Sequence, residues 1–417
     1  MNRRDVFALA GIGAAGLLAT NRGASAQAPP PDAESRYLRL EDFGAKGDGA
    51  SDDTAPLQKA LDETFRKDRA TFLVVPPGTY MISRTLRISP ANNVTRASGI
   101  LAQGARLQST IVDGSNVLEV VSRSTFRFLQ IHGLEVRGSG KDGAGLLLEC
   151  QEGGKYLYNF SLRDLVVQGC GGDGFRMLGN VFEGQVFNCY LRNNRGNGML
   201  MGHGERSGIL SAIHVLASVF GENGVNGATM VNNCYDASFH GCYFLLNQRY
   251  GLTAKNGCTL LSHCGFENNH QSAADFAHGG AGLKLNNFGT LIACTAYSVY
   301  KQTALLEAFV GSRLVMIGCT GSGGGKAKDA ILARIRGERR ASVVAIGCNG
   351  EIVSENGLEV LDVANDAGGV RLSDRWDGRH PLRLGNYVFW VDAVGVLRVK
   401  KGNPVADGDG RPVGINS

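Results

Sequence analysis

The chain has 417 residues, 59 of them glycine and only 10 proline, with 43% hydrophobic and 19% charged residues and a formal net charge of +5. Without a G-X-Y period the glycine content excludes collagen, and so modest a charge is not the basic footprint of a nucleic-acid binder. Glycine-rich, hydrophobic and sparsely charged, the sequence points to many short strands joined by tight turns.

Residues 1–28 read as an export signal. Arg3 and Arg4 head a charged segment, Ala8 to Thr20 is apolar, and two A-x-A sites follow at Ala24–Ala26 and Ala26–Ala28. The paired arginines followed by Asp5, Val6 and Phe7 match a twin-arginine signal, with an ordinary secretory signal as the alternative. Arg3, Arg4 and Arg22 against Asp5 leave +2 in this leader. No later run of 18 apolar residues follows, so no membrane association is expected after cleavage, and the location is expected to be periplasmic or secreted. Pro29-Pro30-Pro31 reads as a stiff spacer.

Next comes a helix. Asp52-Asp53-Thr54 is a start signal, and Leu57, Ala60, Leu61 and Phe65 fall on one face, as expected of a cap that plugs an open solenoid. Phe72 to Tyr80 reads as strand, Pro-Pro-Gly turn, strand.

From there two repeats run through the chain. Cys189, Cys242, Cys264, Cys294, Cys319 and Cys348 recur in similar settings, with Ser218 in the missing place, at intervals of 22 to 30 residues. Five residues after four of these come Asn194, Asn223, Asn247 and Asn269. Such intervals are one solenoid coil. The cysteines are expected to form a buried thiol column and the asparagines an amide ladder. Cys150, Cys170, Cys234 and Cys258 lie outside the column, leaving room for one disulfide.

The second repeat is a turn residue plus glycine before each strand: Ala144-Gly145, Asp173-Gly174, Asn197-Gly198, Asn226-Gly227, Tyr250-Gly251 and Ala281-Gly282. Thr303-Ala304, Asp329-Ala330 and Asn356-Gly357 continue it, and the glycines are read as relaxing a backbone conformation other residues resist. Alternation follows, with Phe175 and Met177 inward and Arg176, Lys255 and Lys284 outward. Stacked strands with no helical crossovers specify an all-β, single-stranded, right-handed parallel β-helix over residues 36–375. Residues 380–417 read as a small C-terminal β-hairpin module, with strands at Tyr387–Val391 and Val396–Val399.

Asp42-Phe43-Gly44-Ala45, then Asp52-Asp53-Thr54, Gln58, Ala60 and Pro76-Pro77-Gly78-Thr79-Tyr80 strongly resemble the opening of the pectate-lyase-like superfamily, over residues 36–90. That superfamily includes polygalacturonases, rhamnogalacturonases, lyases, epimerase-like proteins and phage tailspikes. The resemblance implies the fold and a polysaccharide partner, acidic in the lyases, with Ca²⁺ a cofactor in some members. The C-terminal module resembles, more loosely, short tails of phage and bacterial surface β-helices.

Polygalacturonase-type hydrolysis needs carboxylates on adjacent coils. Asp173 stands in the first such place, but Asn197 and Asn226 occupy the next two, and an amide is neither acid nor base. Gly202-His203-Gly204 and Arg334-Ile335-Arg336 resemble family motifs but in the wrong register and spacing, and are read as chance matches. A lyase or epimerase needs one base and one cation beside a uronate carboxylate. The candidate catalytic residues are therefore Asp173, Arg176, His203, Arg249 and Tyr250, with Asn197, Asn226, Lys255 and Lys284 as substrate contacts. The alternative is a non-catalytic, glycan-binding or tailspike-like surface protein, as a monomer or a homotrimer. His214, His240 and His263 are expected half-buried, and His270, Asp275 and His278 sit on an insertion without metal-site spacing.

Overall fold

A computed structural model describes residues 36–66, 70–150, 154–202, 208–231, 233–255, 259–269, 280–298 and 302–323, together with strand segments between 331 and 412. Successive coils stack in parallel register, each strand pairing with its equivalents one coil before and after. Phe175–Gly179 lies between Leu146–Cys150 and Met199–Met201, for example, and Tyr190–Arg192 lies between Val166–Gln168 and Val219–Gly221. The body is a parallel β-helix with three faces.

The corners between faces are single residues. Asn188, Ala217, Gly241, His263, Ala293, Gly318 and Gly347 adopt φ between 47° and 61°, each just before a member of the thiol column. Asn193, Glu222, Leu246 and Asn268 do the same before the asparagines, with φ of 48–56°. A left-handed non-glycine residue costs about 1 kcal/mol. Its backbone N–H donates to the next coil here, as from Asn188 to the Leu216 carbonyl and from Asn193 to that of Gly221.

Both columns form as the spacing implied. Asn194, Asn223 and Asn247 donate Nδ2 to Oδ1 of the next asparagine at 3.1, 3.0 and 2.8 Å, and all four amides are buried. Cys189, Cys242, Cys264, Cys294 and Cys319 are buried, and Ser218 takes the vacant place, accepting the Cys189 N–H at 3.1 Å. Cys150, Cys170 and Cys234 are free thiols, and Cys258 lies outside the described residues. Phe220, Phe244 and Phe266 stack in the same core with ring centroids 4.9 Å apart.

Two sequence expectations need correction. The glycines at 174, 198 and 227 are not left-handed; they are required by close approach. A Cβ at Gly174 would lie 2.6 Å from Asn194 Nδ2 and 2.7 Å from the Gly198 carbonyl; Gly198 meets Asn223 and Gly227 in the same way, and Gly227 meets Asn247 and Gly251. The register also slips in a later coil. Leu283 pairs with Leu306, so Ala304 stands one residue short of the Gly282 position, while Asp329-Ala330 and Asn356-Gly357 lie outside the described residues. The long strand Gln302–Ile317 runs through without the glycine turn.

The helix Thr54–Thr64 closes the N-terminal end, burying Leu57, Ala60 and Leu61, with Phe65 edge-on to Phe126. Asp53 is not its side-chain cap. Its carboxylate accepts from the Lys46 and Gly47 N–H groups at 2.7 and 3.0 Å, while Asp52 accepts from Thr54. Gly47 has φ of 62° and lies against the Tyr80 ring, which is why Gly47 and Tyr80 occur together. Leu382–Leu384, Tyr387–Val391, Leu397–Lys401 and Arg411–Pro412 form a separate antiparallel sheet, one strand on each side more than the hairpin read from sequence. Among the described residues no helix is long and apolar enough to cross a membrane.

Candidate functional site

The first face of the helix carries one continuous outward row: Arg87, Glu119, Leu147, Arg176, Leu200, Thr229, Thr253, Lys284 and Glu307. Its N-terminal part is closed, since Glu119 and Leu147 are only 8% and 5% exposed, and Arg87 is bound to Glu119 at 2.7 Å. From Arg176 to Glu307 the row opens to solvent.

Just before this row runs a ladder of turn residues. Asp173 Oδ2 accepts from Arg176 Nε and Nη2 at 2.9 and 2.7 Å, and its Oδ1 accepts from the backbone and side chain of Asn197, both at 2.8 Å. Asn197 Oδ1 accepts from the Asn226 N–H at 3.3 Å and from Thr229 Oγ1 at 2.8 Å. Asn226 donates to Thr229 at 2.9 Å and accepts the Tyr250 N–H at 3.0 Å. Asp173 is 4% exposed with both oxygens engaged, so it orients Arg176 and Asn197 and is not placed to take a proton from a substrate. The oxygens of Asn197 and Asn226 are likewise spent within the ladder.

The ladder ends in a second cluster. The Tyr250 hydroxyl lies 3.2 Å from Glu307 Oε2 and 3.5 Å from Lys284 Nζ, and Lys284 Nζ is 3.7 Å from Glu307 Oε1. The ammonium also sits 5.3 Å from the Tyr250 ring centroid. All three side chains are partly exposed. This grouping holds a phenol, a cation and a carboxylate within contact distance.

Tyr250 and Lys284 therefore come together, four coils and about 19 Å from Arg176. Arg249 is exposed in the turn before Tyr250, its N–H donating to the Val225 carbonyl. Lys255 is exposed two residues beyond the row. His203 lies outside the described residues, as do His270, Asp275 and His278. Thr229 and Glu307 are additions. Thr229 follows Asn226 at the same three-residue spacing as Arg176 follows Asp173, a signal present in the sequence. His214, His240 and His263 are exposed rather than half-buried, because they point outward or sit on a corner. His214 and His240 contact Ser238 and Ser262, at 2.7 and 2.5 Å. No group of three or more His, Cys, Asp or Glu side chains suited to a metal occurs among the described residues. A cleft of about 360 Å³ opens at the closed end, lined by Ser83, Arg84, Arg87, Asp113 and Ser115 among others, away from the Tyr250 cluster.

Comparison with known proteins agrees with this architecture along most of the chain. Residues 38–108 match the family described as rhamnogalacturonase A/epimerase, pectate lyase-like, and residues 110–289 match the right-handed β-helix region. The chain is a pectate-lyase-like right-handed β-helix. Residues 349–415 of this β-helix chain match a third family, capsule depolymerase. Alginate lyase 7 of Azotobacter vinelandii is 27% identical over 187 residues, covering 35% of this chain and 22% of that protein. The chain spans under a quarter of the curated relatives it matches, which include phage pre-neck appendage proteins. Among solved structures, the ORF18 protein of Geobacillus virus E2 superposes with a TM-score of 0.59 at 18% identity, over 87% of this chain and 68% of that one. The A-module of an Azotobacter vinelandii mannuronan C-5 epimerase gives 0.54 at 13% identity, over 79% of this chain and 98% of that one.

Proposed function

We propose that this β-helix acts on a uronate-containing polysaccharide by abstracting the proton beside the carboxylate, leading to β-elimination or epimerisation. The observation that carries this reading is the Tyr250–Lys284–Glu307 cluster on the open part of the first face. Lys284 meets the uronate carboxylate as charge grows on it, Tyr250 oxygen takes the sugar proton, and Glu307 receives the phenolic proton. In elimination the bond to the leaving oxygen breaks as the ring double bond forms, that oxygen takes a proton from water, and Glu307 and Tyr250 return theirs to solvent. In epimerisation a proton returns to the opposite face of the ring.

Hydrolysis is disfavoured on distance. Asp173 and Glu307 are five coils apart, about 24 Å, whereas paired glycosidase carboxylates stand roughly 5–9.5 Å apart. The names of alginate lyase 7 and the mannuronan epimerase support the uronate class. We also propose export by the twin-arginine leader.

The test is incubation of the full mature chain with alginate and polygalacturonate, with and without Ca²⁺. It follows unsaturated-product absorbance, new reducing ends and solvent deuterium entering the sugar. Absorbance with reducing ends is the expected lyase result, and deuterium alone means epimerisation. Reducing ends without absorbance would overturn the elimination chemistry. A second reading, a non-catalytic glycan-binding appendage, draws on the phage pre-neck appendage and phage structure matches. It predicts retention of a polysaccharide with silence in all three readouts, and gel filtration would separate a trimer from a monomer.

A further inference from the structure

The third face, away from the Tyr250 cluster, displays three exposed tyrosines: Tyr190, Tyr243 and Tyr297 at 43%, 38% and 45%. Tyr190 and Tyr243 belong to one outward row, with Val219 between them. They are thus two coils, about 10 Å, apart along the axis. Two sugars of an extended polysaccharide cover a similar length.

The Tyr243 ring has a fixed attitude. Gly265 follows it in the row, and a Cβ there would lie 2.5 and 2.6 Å from ring atoms Cδ2 and Cε2. The ring therefore lies across the neighbouring strand, one side on backbone and the other open. Its hydroxyl donates to the Glu267 carboxylate on that same strand. Burial, and then Glu267, push this phenol up to about 12, so it stays neutral and anchored at ordinary pH. A flat aromatic face held open is what the C–H-rich side of a sugar ring stacks on.

The adjacent outward row supplies charge. Arg137 and Arg192 lie on either side of Gln168, again two coils apart, and Arg192 is on the same strand as Tyr190. Both are exposed and neither has an ion-pair partner among the described residues. Of the acids beside them, Glu135, two residues before Arg137, is already engaged by Arg106 at 2.9 Å and by Gln168 at 2.9 Å, and Glu222 sits exposed on the corner just past Gly221, the residue paired with Arg192.

We propose that the third face is a second docking strip for an acidic polysaccharide, separate from the first-face cluster. The chain runs along the helix axis, Tyr190 and Tyr243 stack on alternate sugars, and Arg137 and Arg192 meet their carboxylates. The strip holds the polymer beside the coils while another stretch of it lies on the first face. This inference rests on the polysaccharide reading of the protein, and its test keeps the two separable.

The test is affinity electrophoresis of the full mature chain in gels containing alginate, polygalacturonate or, as a neutral control, laminarin. The wild type is expected to be retarded by an acidic polymer and not by laminarin. Y190A/Y243A weakens retention roughly tenfold, from the loss of two stacking contacts. Tyr243→Phe, which keeps the ring, stays within about threefold, whereas Gly265→Val, which lifts it, behaves like Tyr243→Ala. Arg192→Gln weakens retention most at low salt. Unchanged melting temperatures identify these as surface effects. If Y190A/Y243A is retarded like the wild type while Lys284→Ala is not, the strip is overturned and the first-face reading stands. Equal retardation by laminarin overturns the acidic class. A wild-type chain neither retarded by nor acting on any acidic polymer overturns both readings.

Discussion

Tyr250, Lys284 and Glu307 each supply a function the other two lack. Lys284→Ala removes the only cation in contact with the Tyr250 hydroxyl among the described residues, so turnover should fall at least 100-fold with little change in melting temperature. Tyr250→Phe keeps the ring under the ammonium but removes the proton path, and should do the same. If both variants keep full activity, the chemistry lies elsewhere. Lys284 was legible from strand alternation, and Tyr250 from its place in the repeating turn. Glu307 was not. Reading Thr303-Ala304 as the next turn places Glu307 on the inward side, and the actual register, with Leu283 opposite Leu306, turns it outward beside Lys284. Asp173 and the two asparagines were found at the right place, but one sequence could not show that their polar atoms are spent on one another. His132 gives a pH signature. Burial, then Arg163, hold its imidazole below the ordinary 6.5, so the folded state favours the neutral ring. That stability is complete above pH 6.5 and is lost as pH falls through the depressed value. His132→Gln should flatten the loss seen in denaturation curves as the pH falls below about 6.5.

At the scale of the element, the coil is held by side chains that do the work of backbone. Each ladder asparagine accepts the backbone N–H of its predecessor and donates to a core carbonyl, as Asn223 does with the Asn194 N–H and the Leu191 carbonyl. Asn223→Ala strands buried partners above and below and should cost about 2–4 kcal/mol in urea unfolding. Gly174→Ala tests the close approach. Without a left-handed φ there is no conformational penalty, so any loss reports the collision with Asn194 and Gly198. The capping helix is the other element on which closure depends. Leu61 is 1% exposed against the first coils, and Leu61→Ala should cost about 2–5 kcal/mol. The columns and the helix were visible in the sequence because they repeat one residue type or one period. The single-residue corners were not, because asparagine, alanine, histidine and glycine all serve there.

For the whole molecule, the absence of bridges among the nine described cysteines matters most. Burial raises the thiols of Cys189 and Cys234 to about 12, so they are neither nucleophiles nor ready disulfide partners in the folded state. In the native chain the eight buried thiols among the described residues should resist a thiol reagent for hours, whereas half-buried Cys348 is open to it, and nine or more positions should react once the chain is unfolded without reductant. Mass shift reads this directly, and fewer than nine would mean that bridges form. Buried free thiols are consistent with the proposed twin-arginine export, in which a chain folds in a reducing compartment before transfer.

The asparagine ladder has a direction, each amide handing its proton to the next coil, and every rung presents the same two faces. A rung can therefore be removed without the remaining ones noticing. Excising residues 223–246 joins Glu222 to Asn247, hands the Asn194 amide to Asn247, and brings Ser218 next to Cys264 in the thiol column. Such a molecule should be one storey shorter and still closed by the same cap. Length, in this architecture, is a quantity evolution can change in whole steps.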